Sequence, residues 1–224
     1  MAGSAVSIKV HNLSEQTSLL NPMLAEIRDV GIQNDPMRFR RNMERIGEIF
    51  AYEISRTMEY RTRSVATPLG TVECPMLRHQ PVLATILRAG LALHQGLLGF
   101  FDRADNAFIS AYRKHEGDED TFEVEIEYLA SPALEGRTVV LSDPMLATGS
   151  SMVLAWKALL ERGQPAHVHV VSVIASRRGV DFLLSQMPPS TTLWLGAIDP
   201  ELNSRAYIVP GLGDAGDLAY GVKT

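Results

Sequence analysis

Cysteine is nearly absent from this chain. Cys74 is the only one, which excludes an internal disulfide and makes a reducing cytoplasm the expected setting. Long apolar runs are missing as well. No uninterrupted stretch reaches about 18 residues and the N-terminus is polar, so neither a membrane span nor a secretory leader is expected. Positive charge is not in excess: 21 Lys and Arg against 26 Asp and Glu give a net charge of −5. That balance argues against a general nucleic-acid binder, though not against an anionic ligand, because local donors dominate a pocket. The pattern G-x-x-x-x-G-K-[ST] occurs nowhere, which disfavours an ATP-type phosphate loop. Six histidines form no H-E-x-x-H, no Cys/His cluster and no Ser-His-Asp grouping, so neither a metal site nor a nucleophilic triad can be argued. His167 and His169 alternate with Val168 and Val170 and are expected on a polar strand face.

Residues 139 to 151, V-V-L-S-D-P-M-L-A-T-G-S-S, are the most informative stretch present. The β-branched apolar run up to Leu141 reads as a buried strand, ended near Asp143 by Pro144, which cannot donate to a ladder. A helix then begins, with Met152, Val153, Trp156, Leu159 and Leu160 as its apolar stripe and Gly163 beyond its end. A strand, a tight loop and a helix N-terminus together make a cradle for an anion, because free N–H groups converge there and the helix dipole favours negative charge. Thr148, Ser150 and Ser151 add hydroxyl donors, and Gly149 permits close backbone approach. Asp143 just before the cradle suits a ligand with sugar hydroxyls beside a phosphate. An ordinary strand-to-helix turn with an Asp near its cap accounts for the same residues equally well.

The rest of the chain alternates strands and helices. The first 34 residues show little periodicity and read as an arm. Asp35-Pro36 offers an N-cap and a proline at N1, and Met43, Ile46, Phe50, Ile54 and Met58 continue at helical spacing to about residue 60. Seven arginines between Arg38 and Arg63 interleave with glutamates, which favours a solvated face laced with ion pairs over an RNA surface. Strands are expected at 82–87, 107–112, 138–142, 167–175 and 192–198, and helices at 91–101, 150–162 and 179–187. Residues 114–121 form a charged segment. Phe122, Val124, Ile126 and Tyr128 alternate with Glu123, Glu125 and Glu127, the pattern of a half-exposed strand. Such alternation implies a mainly parallel sheet flanked by helices, with ligands beyond the strand carboxyl ends, where Arg88, Arg113, Asp143 and Arg177 fall. Arg88 precedes Ala89-Gly90 between a strand and a helix, a place suited equally to a diphosphate or to a neighbouring surface acid. G-L-G-D-A-G at 211–216 matches G-x-G-x-x-G, but only eight residues follow Gly216, too few for a dinucleotide-binding βαβ unit.

Three segments in order, I-L-R-A-G-L at 86–91, D-P-M-L-A-T-G-S-S at 143–151 and Y-I-V-P-G-L-G-D-A-G-D at 207–217, resemble the motifs of the uracil phosphoribosyltransferase family of type I phosphoribosyltransferases. The resemblance implies an α/β fold with a mainly parallel sheet, an N-terminal helical arm and a small β hood. Residues 1–66 would form the arm and a helix packed on the core, and 67–224 the phosphoribosyltransferase part with a C-terminal uracil loop. It further implies transfer of a 5-phosphoribosyl group from phosphoribosyl pyrophosphate (PRPP) to uracil, giving UMP, with Mg²⁺ carried in by PRPP. By the same resemblance Asp143 holds the ribose diol, Pro144, Met145, Leu146, Ala147, Thr148, Gly149, Ser150 and Ser151 hold the 5′-phosphate, and Arg88 and Arg113 hold diphosphate. Ile208, Gly213 and Ala215 line the base, and Asp214 sits between base and PRPP. A homodimer or homotetramer and GTP as an effector are also implied. The chain departs from the family pattern at Ser150, where glycine is usual, at Leu218, where a charge is common, and at Tyr220, where phenylalanine is usual; a side chain at position 150 strains the loop only if φ is positive there. Two other readings stay open: an RNA-binding, pyrimidine-sensing regulator on the same fold, and a phosphoribosyltransferase for another base.

Overall fold

The computed structural model describes residues 8–115 and 122–223, with the side chains of 111–125 outside that description. Its strands are β1 (Lys9–Asn12), β2 (Tyr60–Thr67), β3 (Gly70–Leu77), β4 (Val82–Leu87), β5 (Asp105–His115), β6 (Phe122–Ala130), β7 (Thr138–Ser142), β8 (Met145–Leu146), β9 (His167–Ser176), β10 (Thr191–Asp199), β11 (Glu201–Leu202) and β12 (Ile208–Val209). Its α-helices are α1 (Leu20–Arg28), α2 (Pro36–Ser55), α3 (Leu91–Phe100), α4 (Ser150–Leu159), α5 (Arg177–Gln186) and α6 (Ala215–Tyr220). None is long and apolar enough to cross a membrane.

The central sheet runs β1-β10-β9-β7-β4-β5-β6, with β8 paired to β9. All its pairings are parallel except that of β6 with β5. Because successive side chains leave opposite faces of a strand, the sheet feeds two cores. Leu83, Val140, Val171 and Trp194 pack under α1, α2 and α3; Val82, Val139, Leu141, Val168 and Leu193 pack under α4 and α5. After β4 the chain moves to β5 on one side, and it later returns to β7 on the other. Helices α3 and α4 therefore leave β4 and β7 towards opposite faces and open a crevice between those strand ends, the usual ligand position in such sheets.

The expected strands and helices from residue 80 onward are present within a few residues. Helix α4 stops at Leu159, with a 3₁₀ turn over Leu160–Arg162 and Gly163 at φ +122°. Asp35 accepts hydrogen bonds from the Met37 and Arg38 N–H groups and caps α2, with Pro36 in the first turn. Four expectations need correction. Residues 8–34 are not an irregular arm: β1 extends the sheet beside β10, and α1 buries Leu20, Met23, Leu24 and Ile27. Residues 60–77 form an antiparallel hairpin, so a boundary at 66/67 falls inside it. The alternation in β6 breaks at a bulge, since Ser110 faces Tyr128 but Ala111 faces Ile126, leaving Glu127 as the extra residue. A bulge reverses the faces, and Ile126 and Leu129 pack on the core while Tyr128 is exposed. Finally, His169 is buried rather than on a polar face. It accepts from Trp194 Nε1 at 3.1 Å, and burial, with His167 and His11 nearby, pushes it down to about 3.

Candidate active site

A cleft of about 500 Å³ lies over the carboxyl ends of β4 and β7. Its floor is the turn after β7. Asp143 is half-buried there and accepts from the Met145 N–H at 3.5 Å. Desolvation pushes its carboxyl up to about 7, the Met145 hydrogen bond opposes the shift, and the Asp214 carboxylate across the cleft adds to it. The loop then turns through Gly149 at φ +84° and enters α4 at Ser150. The N-terminus of α4 thus opens beside the cleft, which Gly149, Ser151 and Met152 line, the setting an anion favours. The side chain at 150 causes no strain, because Gly149 takes the left-handed position and Ser150 begins the helix.

This loop is braced from the next strand. Ser176 Oγ donates to the Ala147 carbonyl at 2.6 Å and accepts from the Gly179 N–H at 2.8 Å. Gly179 lies so close that a Cβ there would stand 2.3 Å from the Ala147 carbonyl oxygen.

The opposite wall is the C-terminal segment. Asn203 accepts from the Arg205 and Tyr207 N–H groups through one side-chain oxygen, closing a turn between β11 and β12. In that turn Ala206 adopts φ +60°, the only positive φ outside glycine among the described residues. Gly211 and Gly213 have φ +58° and +92°. Asp214 caps α6 by accepting from the Asp217 N–H at 3.0 Å.

Of the expected site residues, Arg88, Asp143, Met145, Leu146, Ala147, Thr148, Gly149, Ser151, Ile208, Gly213, Asp214 and Ala215 line this one cleft; Pro144 and Ser150 shape the loop without lining it. Arg113 lies within β5 rather than after it, opposite Val124, and its side chain falls outside the described residues, as does segment 116–121. Arg88 has a different partner from the one expected. Its Nη2 donates to Asp217 Oδ1 at 2.8 Å and to the Gly221 carbonyl at 2.6 Å, while its Nε is buried and unpaired. The guanidinium therefore fastens the C-terminal helix beside the cleft. Arg177 begins α5 and does not line the cleft.

Arg205 and Lys223 also line the cleft and were missed, because they stand in irregular chain with no periodic signal; Tyr207, the first residue of the 207–217 motif, lines it too. Leu218 and Tyr220 pack on the core, and Arg40 lies 5.9 Å from the Tyr220 ring centre while donating to the Ala219 carbonyl. An apolar residue at 218 therefore fits its surroundings. The arginines of α2 and its C-cap are largely engaged within the chain: Arg38 with Glu26, Arg41 with Glu44, and Arg56, just past the helix end, with Glu53. This is the ion-paired face expected from the sequence.

Comparison with known proteins agrees with the geometry. A family profile described as uracil phosphoribosyltransferase matches residues 14–222. A Porphyromonas gingivalis protein of that name is 56% identical over 216 residues, covering 96% of this chain and all of the relative. One from Methanothermobacter thermautotrophicus is 40% identical over 205 residues, 91% of this chain and 92% of its own length. A solved structure from Aquifex aeolicus superimposes with a TM-score of 0.84 at 29% identity, covering 95% of this chain and 98% of that one.

Proposed function

The chain belongs to the uracil phosphoribosyltransferase family, and on that footing we propose that it transfers the 5-phosphoribosyl group of PRPP to uracil, giving UMP and diphosphate. The observation that carries this reading is the meeting of two unlike walls across one cleft: an acid with a helix N-terminus over 143–151, and a glycine-rich backbone loop over 208–216. The first suits a ribose 5-phosphate. The second suits a flat heterocycle whose edge is read by N–H and C=O groups.

In the reaction a bond forms from the uracil ring nitrogen to the anomeric carbon as the bond to diphosphate breaks. Diphosphate leaves with the electron pair, and the proton of the ring nitrogen passes to the departing diphosphate or to solvent. The sugar becomes positively charged on the way, so the protein's task is positioning and charge stabilisation. Asp143 accepts the ribose hydroxyls; their donation favours its charged form against the desolvation that raises it. The N-terminus of α4 with Thr148 and Ser151 holds the 5′-phosphate, and Arg113 with the 88–90 turn holds diphosphate. Asp143 and Asp214, facing the same cleft, suit a Mg²⁺ that draws most of its ligands from substrate and water. When bound, such an ion would neutralise charge on the departing diphosphate.

Assembly into an oligomer is part of the same reading. The β2–β3 hairpin is exposed along most of its length, with Tyr60, Leu69, Val72 and Met76 open to solvent, and an isolated two-stranded ribbon is marginal in water. A cytoplasmic setting fits the lone cysteine. The deciding experiment measures diphosphate release from PRPP and Mg²⁺ with each nucleobase in turn. Release with uracil, and UMP as product, is expected; release with a different base, or none, overturns the assignment.

A further inference from the structure

The loop that faces the base is not held by its own sequence. Gly211 sits at its turn with φ +58°, and a Cβ there would stand 2.1 Å from the Ile208 carbonyl oxygen, so the turn closes only with the backbone drawn tightly together. Both backbone polar groups of Gly211 are bound by the same pair of side chains. Its N–H donates to Asp199 Oδ2 at 2.9 Å, and its carbonyl accepts from Arg28 Nη1 at 3.0 Å. Arg28 also grips Asp199 with two parallel hydrogen bonds, Nη1 to Oδ2 at 2.7 Å and Nη2 to Oδ1 at 2.8 Å.

Each partner is placed by a regular element. Asp199 is the last residue of β10 and is buried; Arg28 is the last residue of α1, 171 positions earlier in the chain. A cation there also meets the negative end of the helix dipole. From behind, Gln33 Nε2 donates to the Ile27 and Arg28 carbonyls, both at 3.1 Å, and steadies that end of α1. Asp199 would be a costly buried charge alone. Paired and hydrogen-bonded on both oxygens, it becomes a fixed anchor.

We infer that Arg28 and Asp199 are positioning residues for recognition of the base: they set the backbone path of 208–213, and through it the donors and acceptors offered to a heterocycle, without touching substrate. This rests on the reading of 208–216 as the base wall. An N-terminal helix with no residue in the cleft thereby governs substrate choice.

The test uses Arg28→Lys and Asp199→Asn in the full chain. Lysine keeps a positive charge beside Asp199 but cannot reproduce a planar fork onto two carboxylate oxygens and a carbonyl. It therefore separates geometry from loss of charge, which by itself could unfold the chain. Two measurements are paired. Amide hydrogen exchange is expected to accelerate by roughly tenfold or more over 208–213 in Arg28→Lys, the lower range for loss of a charge-assisted hydrogen bond, while 143–151 keeps its protection. The KM for uracil is expected to rise by a similar factor, roughly tenfold, with the KM for PRPP unchanged. Unaltered exchange over 208–213 in a folded variant overturns the inference. So does an equal rise in both KM values, which signals general loosening. A wild type that makes no UMP from uracil refutes the substrate reading instead, and the exchange data still judge whether Arg28 positions the loop.

Discussion

The two walls of the cleft are built on different principles. The wall proposed to take the phosphate, the phosphate wall, is local. Strand β7, Asp143, one left-handed glycine and the start of α4 follow one another within residues 138–151, and the bracing Ser176 and Gly179 come from the adjacent strand and the helix after it. The wall proposed to take the base, residues 208–216, and the chain flanking it are tied down by arginines from elsewhere: Arg28 of α1 on Asp199 and Gly211, Arg40 of α2 on the Ala219 carbonyl, and Arg88 after β4 on Asp217 and Gly221. The phosphate wall offers N–H groups and dipole that any helix start supplies. The base wall must hold an irregular backbone in one shape, and chain without regular hydrogen bonding needs outside partners to do so. A catalyst that binds an invariant phosphate and a particular base can be varied on the second wall without disturbing the first.

The largest expected effect tests whether the base wall acts through its backbone. Gly213 has φ +92°, and a Cβ there would meet no protein atom within 4 Å. In Gly213→Val the obstacle is therefore twofold: a conformation closed to a β-branched residue, and a side chain standing in open cleft. Uracil use should fall below detection, with PRPP still bound in calorimetry. Substitutions in the same loop that preserve its backbone path should keep cytosine rejected, because a mismatched edge leaves buried polar groups unpaired, a penalty that reaches roughly 10⁴-fold. Normal turnover of uracil by Gly213→Val would end the idea of backbone readout.

A smaller effect is expected on the phosphate wall. Asp143→Asn should lower the catalytic efficiency towards PRPP by about 1.5–3 kcal/mol of lost charge-assisted hydrogen bonding and leave uracil binding nearly intact. The same residue gives a pH signature. Its carboxyl titrates at about 7 in the folded protein and near 3.9 when unfolded, so the folded state holds the extra proton between those values. Stability from this group is therefore lost as pH rises from about 4 to 7. The asparagine variant should melt higher than wild type at pH 8, with the gap closing at pH 4. The efficiency of the wild type with PRPP should rise as pH increases through about 7, a limb absent from the variant. An identical pH profile in the two proteins would remove Asp143 from the ribose.

The contrast also explains what could be read from the sequence. Strand-to-helix units with 3.6- and 2-residue periods announce themselves, so β4, β7, β9 and β10 were expected almost to the residue, and α4 at its first residue though not at its last. The β1 strand escaped because four residues, Lys9–Asn12, are too few to show alternation, and its pairing depends on β10 some 180 positions later. The β6 bulge escaped because a strict alternation of apolar and acidic residues carries no mark of the extra residue. Arg88 was placed correctly at the cleft, but its partners were not legible: no local pattern tells an arginine whether it will meet a diphosphate or an aspartate 129 positions away. Arg28 carried no signal at all. Its importance lies in where β10 ends and where Gly211 turns, and both are tertiary facts.

The smallest effect asks whether the base wall tolerates relief of its backbone. The phosphate wall places its one left-handed residue at Gly149, where the conformation carries no side-chain penalty. The turn at 203–207 instead puts Ala206 at φ +60°, in a region that costs an L-residue about 1–2 kcal/mol. That turn holds because Asn203 engages the N–H groups of Arg205 and Tyr207, and its own N–H donates to the Tyr207 carbonyl at 2.9 Å. Ala206→Gly should remove the steric cost but add roughly 0.5–1 kcal/mol of chain entropy on unfolding. The net gain is then about 0–1.5 kcal/mol, a rise in Tm of up to roughly 6 °C for a chain of this size. Since Arg28 and Asp199 hold the next turn independently, the KM for uracil should not change. A lower Tm would show that the alanine methyl makes a contact worth more than its strain. A stabilised protein with a higher KM for uracil would show instead that the strain at 206 fixes the path of the base loop, and the outside ties would no longer suffice to explain its shape.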